Sequence, residues 1–323
     1  MFLVTGAGGY IGRHLAQRLR EQGAAVRGLD LRAEALAPLA ATGVETVVAD
    51  VGDVAAVRAA LEGVTVVYHL AGSALGRPAA ILRANVAGAC AVVAACVGHA
   101  GLQSIVYAGS GALYPSGPGW LDEATPPAPA FHYARAKHEA ERILLAAHAR
   151  YGLPVQVARI AGVYGPDSPA MMVAQVRRGR FPLIGGGRGF ASNIYLDDTI
   201  SALCAMPERG QPGHIYNLAD DEPAPIAVFY GHMARLLNAP PPPTLPPTVG
   251  QALVWAMSTV SALRHRPMPL PIDLVAMAAV SHRMTNQRMR KELGVIPRYP
   301  SYREGLPVAL GLGDGDTKHQ SAI

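Results

Sequence analysis

Residues 132–141, HYARAKHEAE, place Tyr133 and Lys137 four positions apart in a stretch of helical pattern, so both side chains leave the same face. The chemistry open to such a pair is proton transfer. A free tyrosine, with a pKa of about 10, is a poor base near neutrality. An ammonium group beside it favours the phenolate and draws that pKa toward the operating range. A solvated tyrosine and a lysine lying along the helix would show the same spacing. The rest of the chain must therefore supply a reason for the pair.

That reason begins at residues 5–12, TGAGGYIG, which follow a short apolar run and open a helical pattern. This is the context a phosphate-binding turn requires. Gly6 permits the tight turn, Gly9 lets the backbone approach a pyrophosphate, and Gly12 lets the helix pack closely on the strand. The helix start then offers unpaired N–H groups and a positive dipole end. A glycine-rich turn without a ligand is the plain alternative, and Asp30 argues against it. It ends the second β-like run, where a carboxylate can accept from both hydroxyls of an adenine ribose. A negative charge there repels a 2′-phosphate, so NAD is expected over NADP, with Arg32 nearby as a softening influence. Asp50, after the third run, is placed for the adenine amino group, or for capping a helix. An oxidised nicotinamide beside Tyr133 would add a second positive charge favouring the phenolate.

The elements needed to position these residues are legible as alternation. Short runs such as VTVVYHLAG and LQSIVYAGS alternate with helical stretches that end near glycine. Strand and helix in turn imply an α/β, Rossmann-type doubly wound parallel sheet. PVQVARIAGVYGP reads as a sixth strand with its loop. Asp197 and Asp198 read as caps of a helix starting at Thr199. We expect a nucleotide-binding domain over 1–165, rejoined by 190–220. A smaller, mostly helical substrate lobe is expected over 166–189 and 221–312, and a disordered tail over 313–323. Within the lobe, PPPPTLPP (240–247) reads as a stiff connector.

Composition removes several function classes. Half of the 323 residues are apolar and 16% are charged, which excludes wholesale disorder. A net charge of +5, with no basic stripe among aromatics, disfavours a nucleic-acid partner. Cys90, Cys96 and Cys204 lack metal-ligand spacing and the histidines are dispersed, so no metal is expected. The opening MFLVTGAGG resembles no leader peptide, and a cytoplasmic, reduced setting is expected. No apolar run reaches the ~20 residues that span a bilayer, so stable membrane insertion is not expected. Interfacial contact through the apolar residues 252–263 stays as a minor alternative.

The chain resembles the extended short-chain dehydrogenase/reductase family, which holds NAD-dependent sugar epimerases, dehydratases and hydroxysteroid dehydrogenase-like reductases. The resemblance rests on TGAGGYIG, Asp50-Val51, HLAG (69–72), NVAG (85–88), YAGSGALY (107–114), Tyr133-x-x-x-Lys137, RIAGVYGP (159–166), IYLDD (194–198) and YNLADDEP (216–223). It runs through nearly the whole chain. It implies that Ser110, four residues before Tyr114, holds the substrate oxygen while Tyr133 exchanges the proton, and that Lys137 holds the nicotinamide ribose. It further implies cofactor contacts at Tyr10, Ile11, Val51, Leu70, Ala71, Gly72, Asn85, Ile160 and Val163. Substrate contacts are implied at Ser73, Tyr164 and Asn193, and a homodimer through helices near 85–100 and 132–150. His69 is read as packing.

Departures from the family pattern narrow the activity. Ser110-Gly111-Ala112-Leu113 lacks the acidic pair of the dehydratases. Ser192-Asn193 stands where epimerases carry an Arg-Asp pair that binds diphosphate. The segment from the proline cluster to Thr285 resembles the substrate region of the hydroxysteroid dehydrogenase and dihydroflavonol reductase-like branch, and its methionines suit an apolar substrate. The leading reading is an NAD-dependent oxidoreductase interconverting a secondary alcohol and a ketone on a small, largely apolar molecule. The alternatives are a nucleotide-sugar 4-epimerase and a non-catalytic NAD-binding protein.

Overall fold

The computed structural model describes residues 1–167, 170–264 and 273–312. The expected tail at 313–323 lies outside them. Seven strands form the main sheet: β1 (Phe2–Thr5), β2 (Val26–Asp30), β3 (Glu45–Val48), β4 (Val66–His69), β5 (Ser104–Ser110), β6 (Val155–Ile160) and β7 (Ile215–Leu218). Their order is β7-β6-β5-β4-β1-β2-β3, and every pairing is parallel. The order reverses direction at β1, where a doubly wound sheet opens a crevice at its carboxyl edge. Registers Thr5↔His69, His69↔Tyr107 and Ser110↔Ile160 bring the strand ends to that edge.

Helices cover both faces because the inner strands are apolar on both sides. On one face α1 (Tyr10–Glu21), α2 (Ala33–Ala40) and α7 (Leu196–Arg209) bury Leu15, Leu36 and Ile200 against Val4, Tyr68 and Val106. On the other, α3 (Val54–Ala60), α4 (Pro78–Cys96) and α5 (His132–Tyr151) bury Val57, Val92 and Leu144 against Leu3, Val67 and Ile105. α5 stops at Gly152, whose φ of 67° is the left-handed conformation that ends helices. By length and composition α4 is apolar enough to cross a membrane, the one such helix among the described residues; its buried face belongs to this core.

The remaining helices, α6 (Ala170–Arg177), α8 (Ile226–Leu236), α9 (Pro247–Leu263), α10 (Leu274–Ala279), α11 (Gln287–Glu292) and α12 (Tyr302–Ala309), lie mostly outside the main sheet. A third core joins Tyr164, Tyr195, Phe229, Met233 and Tyr302.

Three readings of the sequence need revision. PVQVARIAGVYGP is two strands, because Gly162–Tyr164 leaves the sheet after β6 and pairs with Asn193–Tyr195. Within the proline cluster, Thr244–Leu245 pairs with Leu183–Ile184, so that stretch is held as well as stiff. α7 begins at Leu196, placing Asp197 and Asp198 inside its first turn. The Asp198 carboxylate accepts from the N–H groups of Arg298 (2.8 Å) and Tyr299 (3.2 Å), a tether to a distant loop.

Candidate active site

The first βα turn is built by steric exclusion. Gly6 adopts φ 71°, and a Cβ at Gly12 would stand 2.1 Å from the Gly6 carbonyl oxygen. No side chain caps the start of α1, where Gly9 is the N-cap. The positive end of that helix opens on the crevice. Asp30 is buried at the end of β2, its carboxylate accepting from Gly8 N (3.0 Å) and Arg32 N (3.1 Å). The Arg32 guanidinium stays largely exposed, with Nε 3.5 Å from Asp30 Oδ1. Asp50 accepts from Gly52 N (2.8 Å), and Asp53, not Asp50, caps α3.

Two chambers follow from this turn. The larger, about 860 Å³, is lined by Gly6, Gly9, Asp30, Arg32, Asp50, Val51, Leu70, Ala71, Gly72 and Ser73, among others. The smaller, about 360 Å³, is lined by Gly6, Gly9, Tyr10, Ile11, Gly12, Leu70, Gly72, Ser73, Ser110, Tyr133, Lys137, Ile160 and Val163, with neighbours. Shared walls at Gly6, Gly9, Leu70, Gly72 and Ser73 make them two halves of one cleft. The close-packed glycine turn, and the Asp30 carboxylate at the far end of the cleft, fit a dinucleotide. Asn85 sits behind the cleft, donating to Ile81 O (2.8 Å) and Ser73 O (2.9 Å), and its Oδ1 leaves no room for a side chain at Gly72. It braces the wall rather than lining it.

Ser110, Tyr133 and Lys137 converge in the smaller chamber. Ser110 ends β5, and its hydroxyl is hydrogen-bonded to the Tyr133 side chain and to Ala112 N (3.2 Å). Lys137, 5% exposed, donates from Nζ to Ala108 O (2.9 Å) and lies over the Tyr107 ring. Among the described residues no carboxylate pairs with it. Burial alone lowers its pKa to about 8. Burial raises the Tyr133 pKa above its ordinary value, and the Ser110 hydrogen bond offsets part of that rise. The protein's own groups thus do not deliver the phenolate that the four-residue spacing led us to expect. Desolvation of this half-buried phenol dominates the shift. His69, fully buried, bonds Thr5 Oγ1 (2.8 Å) and stacks on Tyr107. Burial, then the Lys137 charge, push its pKa down to about 3, so it stays neutral as packing.

Two expected substrate contacts are elsewhere. Tyr164 is turned into the third core, its hydroxyl donating to Ser301 O (3.3 Å). Asn193 is buried in the strand pair outside the main sheet and donates to Ala191 O (3.5 Å). Neither lines the catalytic chamber, because that small pair directs them into packing. One residue near the chemistry escaped sequence reasoning. Asp273 approaches from 140 positions away, accepting from Tyr133 N (2.9 Å) and contacting His132 Nδ1 (2.7 Å). The only local hint was an N-cap position, Phe131, that has no polar side chain with which to cap α5.

This cleft on this sheet defines a nucleotide-dependent oxidoreductase, and comparison with known proteins agrees. The model of the NAD dependent epimerase/dehydratase family matches residues 2–219, and the chain belongs to that family. It is 33% identical over 324 residues to a Streptomyces 3-diazoavenalumate denitrifying reductase, covering 94% of this chain and 98% of that one. It is 30% identical to 2-alkyl-3-oxoalkanoate reductase of Shewanella oneidensis, covering 81% and 72% respectively. Among solved structures, MoeE5 in complex with UDP-glucuronic acid and NAD is 26% identical, with TM-score 0.75 over 96% of this chain and 98% of that one. The protein is an enzyme of the short-chain dehydrogenase/reductase type, its cofactor is NAD, and its reductase relatives support the reductase-like branch.

Proposed function

We propose that this enzyme interconverts a secondary alcohol and a ketone on a small, largely apolar substrate, with Tyr133 as the acid–base. The observation that carries the reading is the meeting of Ser110, Tyr133 and Lys137 in one chamber at the cofactor-side turn. NAD, when bound, supplies a hydride acceptor and a positive charge beside the phenol. Gly9 lets the backbone approach its phosphates while Gly6 and Gly12 keep the turn tight, and Asp30 takes the adenine ribose. Ser110 orients the substrate oxygen by hydrogen bonding. Tyr133 takes the alcohol proton or returns it to the ketone oxygen. Lys137, buried and titrating close to neutrality, holds the ribose and can pass the proton onward.

Relatives named as reductases favour net redox. No arginine lines the catalytic chamber among the described residues, which supports an uncharged substrate over a nucleotide sugar. A panel of hydrophobic cyclic and aryl secondary alcohols, and of the matching ketones in the reverse direction, tests this by NADH absorbance. At least one pair should turn over with net cofactor change. UDP should bind more weakly than about 1 mM for want of an anion clamp. Micromolar UDP-sugar binding with epimerisation and no NADH release would replace this reading with the 4-epimerase. The same reading carries a homodimer through α4 and α5, with Leu82 of α4 exposed; sedimentation over a concentration series reads it.

A further inference from the structure

Tyr133 is the second residue of α5, inside the first turn, where backbone N–H groups have no intrahelical partner. The N-cap residue, Phe131, supplies no side-chain acceptor. The proposed acid–base therefore sits on the least self-supported turn of its helix, whereas Lys137 is one turn further in and buried. Asp273 makes good the deficit. One carboxylate oxygen accepts from Tyr133 N (2.9 Å) and the other contacts His132 Nδ1 (2.7 Å). The carboxylate is 95% buried, since Asp273 is 5% exposed, and a negative charge at a helix start is favourable.

Asp273 does not reach this turn alone. Downstream of α10, the same stretch is stitched to the loop between Ser110 and α5. Ser281 N donates to Ser116 Oγ (2.9 Å), Gly117 N to Ser281 O (3.0 Å), and His282 Nε2 lies 3.0 Å from Tyr114 O. Arg283–Met284 pairs with Trp120–Leu121, and the Met284 sulfur fills the space a side chain at Gly111 would need. A strap from the second half of the chain thus holds both ends of the segment bearing Ser110 and Tyr133.

We propose that Asp273 is a positioning residue: docked by this strap, it caps α5 at Tyr133 and fixes the phenol against Ser110. The proposal rests on the acid–base reading of Tyr133 given above. It is tested with Asp273→Ala and Asp273→Asn, alongside Tyr133→Phe, in the full chain. Amide hydrogen exchange of the NAD-free protein is read over residues 131–136, and NAD affinity by calorimetry. Turnover is measured with the panel substrate that reports it. Asp273→Ala should speed exchange in that peptide and lower kcat about tenfold, while NAD affinity moves less than about threefold. Asp273→Asn should keep kcat within about threefold of the parent, because its Oδ1 still accepts from Tyr133 N. Unchanged exchange, unchanged kcat, an equal fall in kcat and NAD affinity, or an Asn variant as impaired as the Ala variant would each overturn the proposal. Parental turnover in Tyr133→Phe sinks the acid–base reading instead. In that case, or if no panel member turns over, the amide exchange alone decides whether Asp273 holds the turn.

Discussion

The two halves of the cleft are made in different ways. The dinucleotide half is assembled by neighbours: Gly6, Gly9, Asp30, Asp50 and Gly72 stand at the ends of β1 to β4 and the turns that follow, within the first 72 residues. The half proposed to be catalytic draws Ser110 from β5, Tyr133 and Lys137 from α5, Ile160 from β6, and its brace from Asp273 and Met284. The first half acts mainly through backbone, so its requirement is for absent side chains. The second acts through side-chain ionisation, which burial by distant elements controls. A motif can specify the former. Only packing specifies the latter.

The sharpest way to test that division is to remove the ionising group without touching the cradle. Tyr133→Phe should lose about 10³-fold in turnover while NAD affinity, by calorimetry, stays within about threefold. Coupled loss of both would mean the halves are not separable.

The next effect is on stability. Lys137 has a folded-state pKa of about 8 against an ordinary 10.5. Between those values the unfolded chain holds a proton that the folded chain has released, so stability rises with pH across that window. Below pH 8 both states are charged and the folded state bears the full cost of burying the ammonium. Lys137→Met should therefore be more stable than the parent at pH 7, by up to about 3 kcal/mol, in urea titration. The advantage should shrink between pH 8 and 10.5. A variant less stable than the parent at pH 7 would show that the Ala108 and Tyr107 contacts outweigh desolvation.

In the cradle, Gly12→Ala places a methyl group 2.1 Å from the Gly6 carbonyl oxygen if nothing moves. NAD affinity should fall about a hundredfold, with the Lys137 titration unchanged if the halves are independent. The smallest effect concerns cofactor choice. The parent should prefer NAD over NADP by about tenfold, and Asp30→Ser should erase that margin, leaving Arg32 free to meet a 2′-phosphate. Equal affinities in the parent would show that Arg32 already governs the ribose pocket.

The comparison also marks what could be read in advance. Gly6, Gly9 and Asp30 were legible because a tight turn and a strand-end carboxylate are local requirements, expressed at fixed spacing. Tyr133 and Lys137 were legible as a pair, since helical geometry alone puts them on one face. The direction of the Tyr133 shift was not, because it depends on how much water the strap and the chamber walls exclude. Tyr164 and Asn193 were assigned to substrate by motif, yet a two-strand pairing formed between residues thirty-one apart turns them into packing. Asp273 had no local signature, since an aspartate beyond a proline-rich stretch looks like any loop aspartate.

By itself the sequence determined the doubly wound sheet, the glycine turn and the order of the candidate residues, because periodicity and glycine sterics act over a few residues. Only the tertiary structure decided that Lys137 titrates at about 8 and that burial holds Tyr133 above its ordinary value. It alone, too, brought a carboxylate 140 residues away to the first turn of α5. Those three outcomes depend on desolvation and long-range contact, quantities set by which surfaces meet, and no short stretch of sequence contains them.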